Sequence, residues 1–233
     1  MPSYSVREQI IQAILVRLAD ILTTKGFSTD IGGNVSRGRT YIDPDELPGL
    51  YVFPGVESRT PGYNAEEFVM PVQVQAHAVS TTPSETAELI LPDIREALTG
   101  ERWTLPFTTG VSEIEPGDDI LGATSAATGH VETVTVSSGT WAGGNAAGTI
   151  KIRRYTGDFQ AEAIKIGGVT SATLTGTKTG ENPSTICCGG LAEMISYEAG
   201  GVTSWPEAAH TTVSMLCNFN VTYRTLSGNP YSQ

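Results

Sequence analysis

The side chains best suited to catalysis or metal binding in this chain are three histidines, three cysteines and two runs of carboxylates. His77, His130 and His210 stand alone: none has a second histidine three or four positions away, and no His-Glu-x-x-His run occurs. His77 falls on the polar side of an alternating segment, which predicts a structural, hydrogen-bonded role. His130 and His210 adjoin loops and are expected at the surface. Cys187 and Cys188 are neighbours, with Cys217 apart. An odd, sparse count is no disulfide framework. Activating a thiol needs a nearby cation or a helix N-terminus. No basic residue stands within several positions of the pair, so all three thiols are expected to be inert, buried and apolar in a reducing compartment.

The carboxylates cluster as Asp43, Asp45 and Glu46, and as Glu113, Glu115, Asp118 and Asp119. Neither run has the alternating aspartates, central glycine and distal glutamate of a calcium loop. Solvated charge, or a patch for a basic partner, is the better reading. Arg37 and Arg39 flank Gly38 just before the first cluster. Arg37, Arg39, Asp43, Asp45 and Glu46 therefore form the candidate interface. The hydrolase elbow Gly-x-Ser-x-Gly and the phosphate-binding Gly-x-x-x-x-Gly-Lys-Ser/Thr are both missing. The Gly-Gly pairs read as tight turns. Lys151, Arg153, Arg154 and Tyr155 make a small basic and aromatic patch, read as a strand face balanced by nearby acids. No catalytic residue, cofactor or metal is expected.

The elements that would carry these groups are legible from periodicity. Residues 5–24 repeat apolar side chains at helical spacing, from Val6 through Ile10, Ile14 and Leu18, and Ser5 and Glu8 have capping-box spacing. Gly26 is the expected stop. Residues 66–79 alternate strictly, with Phe68, Met70, Val72, Val74, Ala76 and Ala78 on one side, as in an antiparallel sheet with one buried face. Pro71 lacks an amide donor and is expected at an edge or bulge. A second helix should start at Thr82-Pro83 and end at Gly100, kinked or split at Pro92. Residues 109–185 change character to Gly, Thr, Ser and Ala with short alternating runs, which predicts a small sandwich or barrel. Residues 211–225 form the best strand in the chain, with Val213, Met215, Cys217, Phe219, Val221 and Tyr223 on one side. The expected fold class is α+β: an antiparallel sheet flanked by two helices, residues 1–108 and 186–233, with an all-β domain, 109–185, inserted.

Composition bounds the function. The chain has 233 residues, 39% hydrophobic and 17% charged, which is enough to bury a core. A net charge of −11 disfavours free binding to nucleic acid and to anionic lipid. Arg7, Glu8, Arg17 and Asp20 interrupt the N-terminal apolar stretch, so it is not expected to be a signal peptide, and no run approaches the roughly 18 apolar residues of a membrane span.

Several segments resemble the phage tail-terminator (tail-completion) family: VREQIIQAILVRLADIL, then ELPGLYVFPGVE, EEFVMPVQVQAHAV, SETAELILPDIREALTG and the end TTVSMLCNFNVTYRTLSGNPYSQ. Their order carries the resemblance more than any one of them, and together they cover about two thirds of the chain. GHVETVTVSSGTWAGGNAAGTIKIRRYTGDFQAEAIKIGG resembles a Gly/Ala-rich β module of virion proteins, which a minimal terminator lacks. The resemblance implies a non-enzymatic structural protein that forms a homo-oligomeric, hexameric ring at the head-proximal end of the tail. Its implied partners are copies of itself, the tail tube protein and neck or connector proteins, with no membrane and DNA at most passing through the lumen. It implies assembly in the host cytoplasm and residence in the virion. Two other roles compete: a neck or head–tail connector protein, and a carbohydrate-binding accessory virion protein that uses the inserted domain.

Overall fold

The computed structural model describes residues 4–38, 43–62, 64–176, 178–182, 187–206 and 212–233. Among them are two α-helices, α1 (Val6–Ala19) and α2 (Pro83–Thr99). The strands, in chain order, are β1 (Val35–Arg37), β2 (Gly49–Pro54), β3 (Ser58–Pro61), β4 (Ala65–Val79), β5 (Arg102–Gly110), β6 (Asp119–Gly122), β7 (Thr128–Ser138), β8 (Ala146–Thr156), β9 (Ala163–Ile166), β10 (Val169–Leu174), β11 (Thr179–Glu181), β12 (Met194–Ser204) and β13 (Thr212–Leu226). The chain divides into two compact units: 1–22, 28–99 and 182–233, and 23–27 with 100–181.

This corrects the expected fold class. The chain is mostly β, with half its residues in strands and a fifth in helices, rather than a helix-flanked α+β fold. The two helices contact each other and the same sheet, so they share one face instead of flanking it. The Gly- and Thr-rich segments, expected to be all-β, add among the described residues a second sheet of seven strands, which tips the whole toward β.

In the first unit the sheet runs β1-β2-β4-β13-β12, with β3 also paired to β4. Its centre is the antiparallel pair of β4 and β13, in unbroken register from Ala65 opposite Leu226 to Val79 opposite Thr212. Period-2 alternation puts Met70, Val72, Val74, Ala76 and Ala78 beside Val213, Met215, Cys217, Phe219 and Val221, all buried. The helices cover that face with Ile10, Ile14 and Leu18 of α1 and Ile90, Ile94 and Leu98 of α2. The Ser5 hydroxyl accepts from the Glu8 amide at 3.2 Å, as the capping spacing predicts. Helix α1 stops at Ala19, earlier than the predicted end, because the Asp20 and Ile21 amides fold back to Arg17 and Leu18 in a tighter turn.

Two prolines depart from expectation for clear reasons. Pro71 lies in an interior strand, yet β2 pairs β4 only at Val72–His77 and β3 only at Glu66–Val69. The missing amide falls in the gap between those partners. Pro92 does not break α2, which is continuous through it. It sits on the exposed side, where the carbonyl it leaves unbonded can face water.

In the second unit the strands follow the order β10-β9-β6-β7-β8-β5, and Thr173 and Leu174 of β10 pair with Thr108 and Phe107 of β5 to close a barrel. Leu105, Phe107, Ile120, Val131, Ile150, Ile152 and Ile164 fill it. Strand β11 extends β5 outside the closure. Glu162, buried between strands, accepts from the amides of Thr124, Ser125 and Gln160 and from the Ser125 hydroxyl. Burial opposes its ionisation, but the Ser125 bonds and the Thr124 and Gln160 amides outweigh it and hold the pKa at about 2.

Two outcomes follow for stability. Phe219→Ala removes a fully buried ring and should cost about 3–5 kcal/mol in denaturant unfolding; a loss under about 1 kcal/mol would contradict the packing. Glu162→Gln should cost about 1.5–3 kcal/mol, the range for hydrogen bonds to a charged group. Because the folded pKa lies below the ordinary 4.5, this carboxylate stabilises above that value, and its contribution is lost as pH falls toward about 2. Acid unfolding of the wild-type and Glu162→Gln chains should therefore converge over that window.

Candidate functional site

The candidate interface lies around the turn that leads into β2. Ile31, 1% exposed, anchors the chain in the core, and β1 then runs parallel to β2 with Arg37 opposite Val52. The Asn34 side-chain amide donates to the Glu46 carbonyl, and the Leu50 amide donates to the Asn34 carbonyl at 2.8 Å. Between them Asp43 builds the acidic turn: its Oδ1 accepts from the Asp45 amide at 3.0 Å and its carbonyl from the Glu46 amide at 3.0 Å. This is the local side-chain-to-backbone bonding that makes aspartate a turn former. Arg37 points elsewhere, pairing through its guanidinium with Glu8 of α1 at 2.7 Å. The Gln12 side chain donating to Glu8, and then Arg37, hold that carboxyl below its ordinary pKa, against a smaller opposing effect of burial. Arg39 lies outside the described residues. The acids thus order their own turn, and Arg37 ties β1 to the helix.

Among the described residues, the histidines do not gather with other reactive groups into one site. His77 Nδ1 lies 2.9 Å from the Ser214 hydroxyl, directly across the β4–β13 pair. Burial lowers the His77 pKa, and its ring meets Tyr51 edge-on at 5.7 Å. A serine–histidine contact does chemistry only when a third group orients the ring and donors await an oxyanion. No bond from His77 Nε2 to a carboxylate is present among the described residues, and the pair ties two strands together. His130 lies between Asp119 Oδ1 at 2.7 Å and the Gly26 carbonyl at 3.0 Å. Gly26 has φ +71°, and a Cβ there would stand 2.6 Å from His130 Nε2, so only glycine fits. His210 lies outside the described residues.

Cys187, Cys188 and Cys217 are buried and free. The hydrogen bond with Cys188, and then burial, push the Cys187 thiol up, and burial pushes Cys217 up to about 12. Arg17 of α1 acts electrostatically on the vicinal pair, a cation that local sequence around position 187 could not reveal. Among the described residues no group of three His, Cys, Asp or Glu side chains could hold a metal ion, and no helix is long and apolar enough to cross a membrane.

Within the basic patch of the second unit Arg154 is exposed and Lys151 half-buried, whereas Arg153 is enclosed. Arg153 is 1% exposed, donates to the Gly26 carbonyl and stacks its guanidinium 3.8 Å from the Phe27 ring centroid. Lys151 and Arg102 converge on the buried Glu132 at 3.2 and 3.5 Å. Lys178 covers the rings of Trp103 and Tyr155 at 4.6 and 4.3 Å and is held by Asp158 at 2.6 Å. Trp141 stacks on Phe107, 5.3 Å between centroids. Two of the three tryptophans are thus packed by neighbours, while Trp205 is 52% exposed.

Sequence reasoning missed one polar cluster in the first unit. The Tyr223 hydroxyl donates to Glu57 at 2.6 Å, and Arg7 pairs with the same carboxylate at 3.1 Å while donating to the Gly55 carbonyl. A cleft of about 300 Å³ opens beside it, lined also by Ser5, Phe68 and Asn229. Burial, and then the Glu57 carboxylate, push the Tyr223 phenol up. The three residues are spread over the chain, and no local motif joins them.

No protein-family model matches the chain, and a search of curated proteins returns no significant match.

Arg37→Ala should leave the isolated chain within about 1 kcal/mol of wild-type stability, since an ion pair with a half-exposed arginine contributes little. A loss of several kcal/mol in denaturant unfolding would make Arg37 a structural residue and remove it from the interface.

Proposed function

We propose that this chain is a structural, non-enzymatic virion protein. In this reading its copies form a ring at the head-proximal end of a phage tail tube, stop tube growth and present a surface for neck and head joining. The observation that carries the reading is the asymmetry of the first unit. Helices cover one face of its sheet, and its end strands differ: β1 is three residues long and parallel to its neighbour, while β12 is eleven residues long and antiparallel. A ring needs two different surfaces on each copy that meet head to tail and close by rotation. The resemblance of the ordered segments to tail terminators supplies the tail end as the place. The acidic balance suits a channel that lets DNA pass without holding it. Arg37, with the acidic turn of Asp43, Asp45 and Glu46, would set register between copies more than affinity. Arg39 would join them.

The test is to mix the purified chain with bare tail tubes and, separately, with head connectors, and to image both by electron microscopy. The expected result is density at one end of each tube, none on connectors alone, and blocked elongation when tube subunits are added. Arg37→Glu should reduce tube-end occupancy while the chain stays folded. Binding to connectors alone would shift the role to the neck; binding to neither would overturn the proposal.

A further inference from the structure

We propose that the barrel unit captures an extended, basic segment of a partner protein as an added strand along β7. The inference does not rest on the ring reading and concerns the barrel alone. Strand β6 is four residues long and pairs with β7 only at Thr128–His130. The loop before it continues the contact through Gly117 and Asp118 as far as Val131. Past that point, among the described residues, β7 pairs with β8 alone. From Thr133 to Val136 the register with β8 is regular, bounded by irregularities on both sides. In such a ladder alternate residues turn their amide and carbonyl groups away from the paired neighbour. The stretch reads Thr-Val-Thr-Val: strongly β-forming, with no charge and no proline of the kind that normally blunts an exposed edge.

A groove of about 460 Å³ lies beside this edge. Val134, Val136 and Trp141 give it apolar surface, and Thr24, Glu113, Glu115 and Pro116 line it as well. Val136 is 41% exposed. Trp141 gives one ring face to Phe107, and its indole N–H has no acceptor among the described residues. The side chains of Glu113 and Glu115 have no ion pair or hydrogen bond among the described residues either, and both are exposed. An open edge provides main-chain hydrogen bonds, the apolar surface accepts alternate side chains, and two unpaired carboxylates select lysine or arginine at the positions between. The fitting occupant is a partner strand that alternates apolar and basic residues.

The test uses the full ¹⁵N-labelled chain with the peptide Ac-Arg-Val-Arg-Val-Arg-NH2 as probe. Alternate amides in Thr133–Val136 should become protected from exchange, and the Trp141 indole resonance should shift. The E113Q/E115Q double variant, changed only at exposed side chains, should bind about fivefold more weakly. The same peptide with glutamate for arginine, or with alternate amides N-methylated, should not bind. Peptide binding without protection at Thr133–Val136, equal binding of the acidic peptide, or no binding at all would overturn the proposal. Protection already present in the free chain and lost on dilution would assign the edge to a second copy and overturn it equally.

Discussion

The pairing of β4 with β13 is the constraint on which the first unit depends. It joins residues about 150 positions apart over fifteen consecutive pairs. Closing so long a loop costs entropy that rises only slowly with its length, so a whole module can stand between the two strands without dissolving the pair. A slip of one residue would turn Met70, Val72, Val74, Phe219 and Val221 from the helix-covered face to the polar one. The same register sets His77 opposite Ser214 and Gln73 opposite Asn218. His77, one of the groups that looked chemical in the sequence, is thereby a cross-strand fastener on the polar face.

Buried carboxylates have partners in both units. Asp93 of α2, 1% exposed, accepts from the Ser28 amide and the Thr29 hydroxyl; burial raises its pKa, and those bonds pull against the rise. Glu162 has enough donors to stay ionised well below the usual range. Glu132 answers to Arg102 and Lys151. Asp93 and Glu162 are hydrogen-bonded, whereas Glu132 is ion-paired with neither carboxylate oxygen hydrogen-bonded among the described residues; removing one partner of a buried charge costs more than the pair contributes. Glu113 and Glu115 have no such partner among the described residues and stand at the surface beside the β7 edge, where in the proposed capture their charge would select the partner.

How much was legible follows from the range of each signal. The Ser5–Glu8 cap, the alternation of 66–79 and 211–225, and the start of α2 at Pro83 are local, and each stands in the structure within a residue or two of where it was read. The helix-flanked class was not legible, because the side of a sheet on which two helices settle is a tertiary choice. Alternation gives the strand face of Lys151, balanced as expected by an acid, Glu132, but not the burial of Arg153 against Phe27. The Arg7–Glu57–Tyr223 cluster and the effect of Arg17 on Cys187 needed contacts between segments far apart in the chain. Of the candidate interface, the acidic turn follows from the known habits of aspartate, whereas the reach of Arg37 to Glu8 depends on how α1 packs beside β1.

The first unit has one helix-covered sheet face, two unlike end strands and a short charged turn, which in the proposed ring would make contacts that differ on its two sides. Closure of identical copies into a circle is the central claim, and it has a mass. Native mass spectrometry of the chain, alone and released from tube ends, should find one oligomer of fixed copy number across a wide concentration range. A ladder of open-ended species, or a monomer in both samples, would contradict it.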